Sequence, residues 1–145
     1  ELPASVRMYT GDDFDFAELI GGDALGYSDA LLGIFDAIAP AASAALSELA
    51  SGRRDRFDEI LAPCVPLSRH IFSAPTQFYK TGIVFMAWLN GYQKEFVMLG
   101  GQETKRSLPH LAEIFRLAVR ARLLQDPELA VTRMDTLCRT EGITV

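Results

Sequence analysis

The chain has 145 residues, of which 49% are hydrophobic and 23% charged, with 14 Lys+Arg against 19 Asp+Glu and a formal net charge of −5. This composition excludes a disordered or collagen-like chain. The acidic balance argues against a generic nucleic-acid binder, which carries a basic surface, and the length alone is one domain's worth.

Val6-Arg7-Met8-Tyr9-Thr10 is rich in β-favouring residues and stops at the turn signal Gly11-Asp12-Asp13. Phe14 to Ile20 reads as a short helix with Phe16, Leu19 and Ile20 on one face. Asp12 or Asp13 is its expected N-cap, and Gly21-Gly22 ends it. Ala24-Leu25-Gly26-Tyr27-Ser28 is a second apolar run, too short for a helix and flanked by turn residues. From Asp29 the period changes. Leu31, Ile34, Phe35, Ile38, Ala42, Ala45, Leu46 and Leu49 recur at three and four, which predicts a long amphipathic helix. Pro40 should kink it, and Ser51-Gly52 closes it. Short apolar strands alternating with helices predict parallel strands joined by crossovers.

After Gly52 the sequence predicts helices only. Phe57 to Phe72 follows a helical period broken near Pro63 and Pro66. Pro75-Thr76 restarts the chain into a helix from Phe78 to Tyr92 that carries Phe78, Phe85, Trp88, Leu89 and Tyr92. Phe96 to Leu99 is a brief apolar segment, and Gly100 to Ser107 a polar loop. Leu108 to Leu124 is a helix with Pro109 in its first turn. Asp126-Pro127 opens a last one, with Leu129, Val131, Met134, Leu137 and Cys138 on its apolar side and Gly142 at its end.

Cys64 and Cys138 form no C-x-x-C pair and read as two small buried hydrophobes. His70 and His110 belong to no metal-spacing motif, so neither a metal nor a cofactor is expected. Glu1-Leu2-Pro3-Ala4 lacks the basic start and apolar run of a signal peptide, and the apolar stretches fall short of the ~20 residues of a membrane span. The expectation is a cytoplasmic chain with no membrane partner and no nucleic-acid partner. Arg53, Arg54 and Arg56, interleaved with Asp55, Asp58 and Glu59, read as a solvated, self-paired helix face.

Two parallel strands pose a difficulty. Parallel strands are normally buried on both faces in sheets of several strands, and an isolated pair leaves two open edges and little core. Either the strand reading is wrong or further strands lie outside this chain.

The string Met8-Tyr9-Thr10-Gly11-Asp12-Asp13, followed by Leu19-Ile20-Gly21-Gly22-Asp23-Ala24-Leu25-Gly26-Tyr27-Ser28, resembles the seventh and eighth β/α units of the dihydrodipicolinate synthase / N-acetylneuraminate lyase family. Ala50-Ser51-Gly52, Phe57 to Phe72 and the Lys80-containing segment from Phe78 to Gly91 look like the helical tail behind that family's barrel. Phe96 to Gly101 and Ser107-Leu108-Pro109-His110-Leu111 look closer to an uncharacterised branch of the superfamily.

The resemblance implies an α/β fold: the C-terminal part of a (β/α)8 TIM barrel over residues 1–50, then a mostly α-helical region over 51–145. It implies a homo-oligomeric lyase or synthase that makes or breaks a carbon–carbon bond through a lysine Schiff base with a 2-oxo acid. The family's nucleophilic lysine and its assisting tyrosine would precede Glu1. No catalytic residue is therefore expected in this segment, which would be inactive alone, and the chain is expected to be a C-terminal fragment of a longer protein. The implied substrate-binding positions are Thr10, Gly11 and Asp12 at the end of the seventh strand and Gly26, Tyr27 and Ser28 at the end of the eighth. Gly26 and Tyr27 depart from the family's pattern of a branched apolar residue followed by Ser, which puts pyruvate itself in doubt.

The alternatives stay beside these roles. Asp13 and Asp29 are helix caps before they are site residues, although Asp29 could also bind a cation or a polar substrate. Tyr9 and Tyr27 are core or pocket wall before acid catalysts. Lys80 is a salt-bridge lysine before a nucleophile, and Lys94 and Lys105 merit less. The stripe of Phe78, Phe85, Trp88 and Tyr92 is core or oligomer contact before a stacking site. A metal-dependent aldolase barrel lacks a paired His/carboxylate set in this segment. A non-enzymatic helical interaction module, its two short strands paired within an oligomer, is the rival reading.

Overall fold

A computed structural model describes Pro3 and residues 5–143; of the Glu1–Ala4 segment, all but Pro3 lies outside the described residues. The chain is mostly helical with one two-stranded parallel sheet, a mixed α/β arrangement. The order is β1 (Tyr9–Thr10), α1 (Phe16–Gly21), β2 (Asp29–Ala30), α2 (Phe35–Ala50), α3 (Arg54–Leu61), α4 (Cys64–Ile71), α5 (Tyr79–Leu89), α6 (Leu108–Arg120) and α7 (Pro127–Thr140). Short 3-10 turns occupy Thr76–Phe78 and Leu99–Lys105. Compactness groups these into a unit ending at Arg69 and a unit beginning at His70. No described helix is long and apolar enough to cross a membrane.

In the first unit β1 and β2 pair in parallel, Tyr9 opposite Asp29 and Thr10 opposite Ala30. The Asp29 N–H donates to the Met8 carbonyl at 2.8 Å and the Leu31 N–H to the Thr10 carbonyl at 3.0 Å. The second strand thus lies beyond the predicted Ala24–Ser28 run. Turn chemistry overrides apolarity there. The Asp23 carboxylate accepts the N–H groups of Leu25 and Gly26 at 2.7 and 3.3 Å, and the Asp23 N–H donates to the Gly26 carbonyl at 2.9 Å. That closes Asp23–Gly26 into a tight turn and leaves Leu25 96% exposed.

The predicted helix from Asp29 is corrected as well, because the Met8 and Thr10 carbonyls take the Asp29 and Leu31 N–H groups into strand pairing. Residues 29–30 are strand, and the helix starts only at Phe35. Its kink falls at Ile38 (φ −124°, ψ 20°), two residues before Pro40. Proline's ring crowds the turn that precedes it, so the distortion appears upstream. Ile38, Ala42 and Ala45 face the core with Phe16, Ile20, Phe57 and Leu61. α1 begins at Phe16, two residues later than predicted, and its N-cap Asp15 makes no side-chain cap bond.

In the second unit α5 is buried through Thr81, Gly82, Phe85, Met86, Trp88 and Leu89. Gly82 allows close packing, since a Cβ there would stand 3.0 Å from Ile114 of α6 and 3.1 Å from Ile71. Phe96 closes over Phe85 and Trp88, with ring centroids 5.3 and 5.5 Å apart. Of the predicted aromatic stripe, Phe85 and Trp88 are therefore core, whereas Tyr92 is exposed. α6 stops at Arg120 because Arg122 turns left-handed (φ 55°). In α7 the Asp126 carboxylate accepts the Leu129 N–H at 3.0 Å, as its sequence predicts, but the buried side is Ala130 and Cys138 and Val131 is exposed.

Gly22 ends α1 at φ 68°, ψ −179°, a conformation open essentially to glycine alone. A Cβ there would also sit 2.5 Å from the Gly26 carbonyl oxygen. Gly22→Ala should therefore cost about 1–3 kcal/mol, read as a lower urea midpoint with an unchanged m-value.

Candidate functional site

The six expected substrate-binding residues do not gather at one end of the strand pair. Thr10, Gly11 and Asp12 lie where β1 exits the sheet. The register places Ser28 before β2, beside Met8, so Gly26, Tyr27 and Ser28 lie at the entry end. Because β2 is Asp29–Ala30, the residue that leaves it beside Gly11 is Leu31, whose N–H donates to the Thr10 carbonyl. That end of β2 is corrected accordingly.

At the exit end the turn is held by its own polar groups. Thr10 is buried, and its hydroxyl oxygen accepts the Asp12 N–H at 3.1 Å. The Asp12 carboxylate accepts the Phe14 N–H at 2.8 Å, so it shapes the turn rather than capping α1. Asp13 does not cap α1 either. Its carboxylate crosses to the start of α2 and accepts the Ile34 N–H at 2.8 Å. Partial burial raises the Asp13 carboxyl above the ordinary range and Asp12 adds to this, while the bond from Ile34 opposes them. From α4, the fully buried Ser68 donates its hydroxyl to the Asp13 carbonyl. Arg69 donates to the Phe14 carbonyl at 3.2 Å and pairs with Asp15. The exit turn is thus held through its backbone by α4 and through the Asp13 side chain by the start of α2.

At the entry end Gly26, Tyr27 and Ser28 line an open cleft of about 630 Å³ with Met8, Asp23 and Arg54. Arg54 is the residue whose role the sequence conceals. It keeps its expected pairing with Asp58 at 2.9 Å, but the other arm of its guanidinium donates to the carbonyls of Gly21 and Gly22 at 2.7 and 3.0 Å. A cation there satisfies the open C-terminal carbonyls of α1. Arg53 pairs with Glu48, and Arg56 with Glu59.

Neither Tyr9 nor Tyr27 is core, being 60% and 74% exposed, although Tyr27 forms part of the wall of that open cleft, and Leu31 is 81% exposed. Asp29 caps no helix and pairs with Arg7 at 3.2 Å. Lys80, Lys94 and Lys105, the only lysines in the sequence, are all exposed. None has the desolvation that makes an amine nucleophilic at neutral pH. Both cysteines are free and buried. Cys64 donates its thiol to the Ile60 carbonyl at 3.4 Å, and burial pushes that thiol up to about 11. Among the described residues no group of three His, Cys, Asp or Glu is placed to hold a metal ion.

Fold and site together define a mixed α/β chain, mostly helical, whose parallel strand pair exposes apolar side chains and whose strand-exit turn is rigid. The chain belongs to the family described as "Protein of unknown function (DUF993)", which it matches over residues 1–143. No curated protein matches the sequence.

Two substitutions check this account. Asp13→Ala should cost about 1 kcal/mol, as for loss of a helix N-cap acceptor, whereas Asp13→Asn keeps an acceptor and should stay near wild type at neutral pH. The native Asp13 carboxyl sits above its unfolded value, so it favours the folded state at low pH and that contribution is lost as pH rises through the native value. Asp13→Asn should remove this loss in urea titrations at paired pH values. Arg54→Lys should cost about 1 kcal/mol, because a single ammonium cannot serve Asp58 and two carbonyls with the same fork; thermal melts measure it.

Proposed function

We propose that the chain supplies the last two β/α units of a (β/α)8 barrel of the dihydrodipicolinate synthase / N-acetylneuraminate lyase type. The complete protein would make or break a carbon–carbon bond through a lysine Schiff base with a 2-oxo acid, the lysine and tyrosine lying on strands outside this sequence. The observation that carries this reading is the open strand pair. Two parallel strands of two residues expose Met8, Tyr9 and Leu31 beside unpaired backbone edges. Such strands find their ordinary partners in a larger parallel sheet. The connection through α1 is the crossover that such a sheet uses.

Barrel enzymes build their sites at the strand exits. The Thr10-Gly11-Asp12-Asp13 turn, already fixed by Asp13, Ser68 and Arg69, is suited to hold a small carboxylate through the Thr10 hydroxyl and the backbone at Gly11, where no side chain intervenes. In this reading the exposed Leu31 takes the place of Gly26–Ser28 as the second strand's contribution to that mouth. An imine is a better electron sink than a ketone, which is why such a site needs a desolvated lysine; Lys80, Lys94 and Lys105 are all exposed, which supports a reading in which that lysine is none of the three.

A second reading, a helical interaction module without catalysis, draws on the unit from His70 onward, which has its own core in Phe85, Met86, Leu89, Leu111 and Ile114. Borohydride reduction of the protein that carries this chain, with pyruvate and with bulkier 2-oxo acids, separates the two. The lyase reading expects a stable mass adduct on a lysine outside these 145 residues. No adduct with any 2-oxo acid, or one on Lys80, Lys94 or Lys105, would sink it. A monodisperse, cooperatively melting 145-residue chain would favour the module.

A further inference from the structure

The second unit contains a polar cluster that the lyase reading does not use. His70 ends α4 one residue before its last, and His110 lies in the first turn of α6. Their rings stack with centroids 4.1 Å apart and planes inclined by 23°. His70 Nε2 lies 3.0 Å from the His110 carbonyl oxygen. A carbonyl can only accept, so Nε2 carries the proton and donates, which fixes the His70 tautomer. The Nε2 of His110 is buried without a hydrogen-bond partner.

Arg106 closes the cluster. It is buried, and its guanidinium donates to the carbonyls of Ile71, Ser73, Ala74 and Pro75 at 3.2, 2.7, 3.3 and 3.3 Å. It thereby ties the chain leaving α4 to the chain entering α6 with backbone dipoles alone, and its Nε has no partner. Among the described residues, the groups acting on His110 are His70 from α4 and Arg106 from the segment before α6. Within α6 the next carboxylate, Glu113, is engaged by Arg116 at 3.2 Å. α5 contributes one charged residue, the exposed Lys80. Among the described residues, each charge acting on His110 is therefore positive or becomes so on protonation.

We propose that the His70–His110 stack is an acid-sensitive latch, holding the end of α4 against the start of α6 while both rings are neutral and releasing it when they charge. Two stacked imidazolium rings beside a buried guanidinium would place three cations together with no paired acid among the described residues. Burial, then His70, then Arg106 lower the His110 value to about 4. A histidine whose native value lies below its unfolded one takes its proton first in the unfolded chain. Stability is therefore complete above the unfolded value near 6.5 and is lost as pH falls from there towards about 4.

The test follows the imidazole Cε1–H resonances by NMR from pH 8 to 4 on the protein carrying the whole chain, with melts of wild type, His70→Gln and His110→Gln over the same range. The latch predicts a His110 midpoint about two pH units below 6.5. It predicts an upward shift of that midpoint in His70→Gln, and a melting temperature that falls less with acid in His110→Gln than in wild type. Should His110→Gln fail to fold, the wild-type titration and its shift in His70→Gln decide. Two histidines titrating as free imidazoles near 6.5, or an unchanged pH slope in a folded His110→Gln, would overturn the proposal.

Discussion

The first unit depends on a pairing that could not survive by itself. β1 and β2 meet over two residues each, and a sheet of that size contributes little in water. What keeps the strands in place is polar side chains acting on the loops at both ends. Asp13 reaches the start of α2, Ser68 and Arg69 reach back from α4 to the exit turn, and Arg54 holds the end of α1 from α3. Each of these bonds joins a side chain to a backbone group that would otherwise lack a partner at a helix end or turn. The strand pair is scaffolded from outside, and its apolar faces remain free for other contacts.

The second unit solves a related problem differently. Between α4 and α5 the chain turns through seven residues, 72–78, whose helical structure is limited to the short Thr76–Phe78 turn, and the carbonyls around it need donors. One arginine, Arg106, serves four of them, and among the described residues no acid pairs with its charge. Backbone dipoles are weaker partners than a carboxylate, so burial still lowers the Arg106 value. That electrostatic setting makes the neighbouring histidine pair sensitive to any added positive charge.

Helical periodicity was readable because it is local. Ile38, Ala42, Ala45, Phe57, Leu61, Ile114 and Ala118 face inward as their spacing requires. Ser51-Gly52, Ser107 and Asp126 punctuate the helices where sequence places them. The strands were harder. Apolar content pointed to Ala24–Ser28, but the Asp23 carboxylate closes that stretch into a turn, and the strand forms at Asp29–Ala30, where the spacing looked helical. Half of the expected site moved with it, from the exit to the entry end. Asp13 and Arg54 escaped for a different reason. Their caps span 21 and 33 residues, and sequence spacing carries no signal for a bond whose partners meet only after folding.

The buried Cys64 has a consequence for the chemical history of the molecule. With its thiol raised to about 11, only about one side chain in ten thousand is ionised at neutral pH. The thiolate is the nucleophile that attacks peroxides and disulfide reagents, so in the native state these find almost nothing to react with. Modification at this position would then act as a clock for opening of the first unit, its rate reporting how often α4 parts from the core around it.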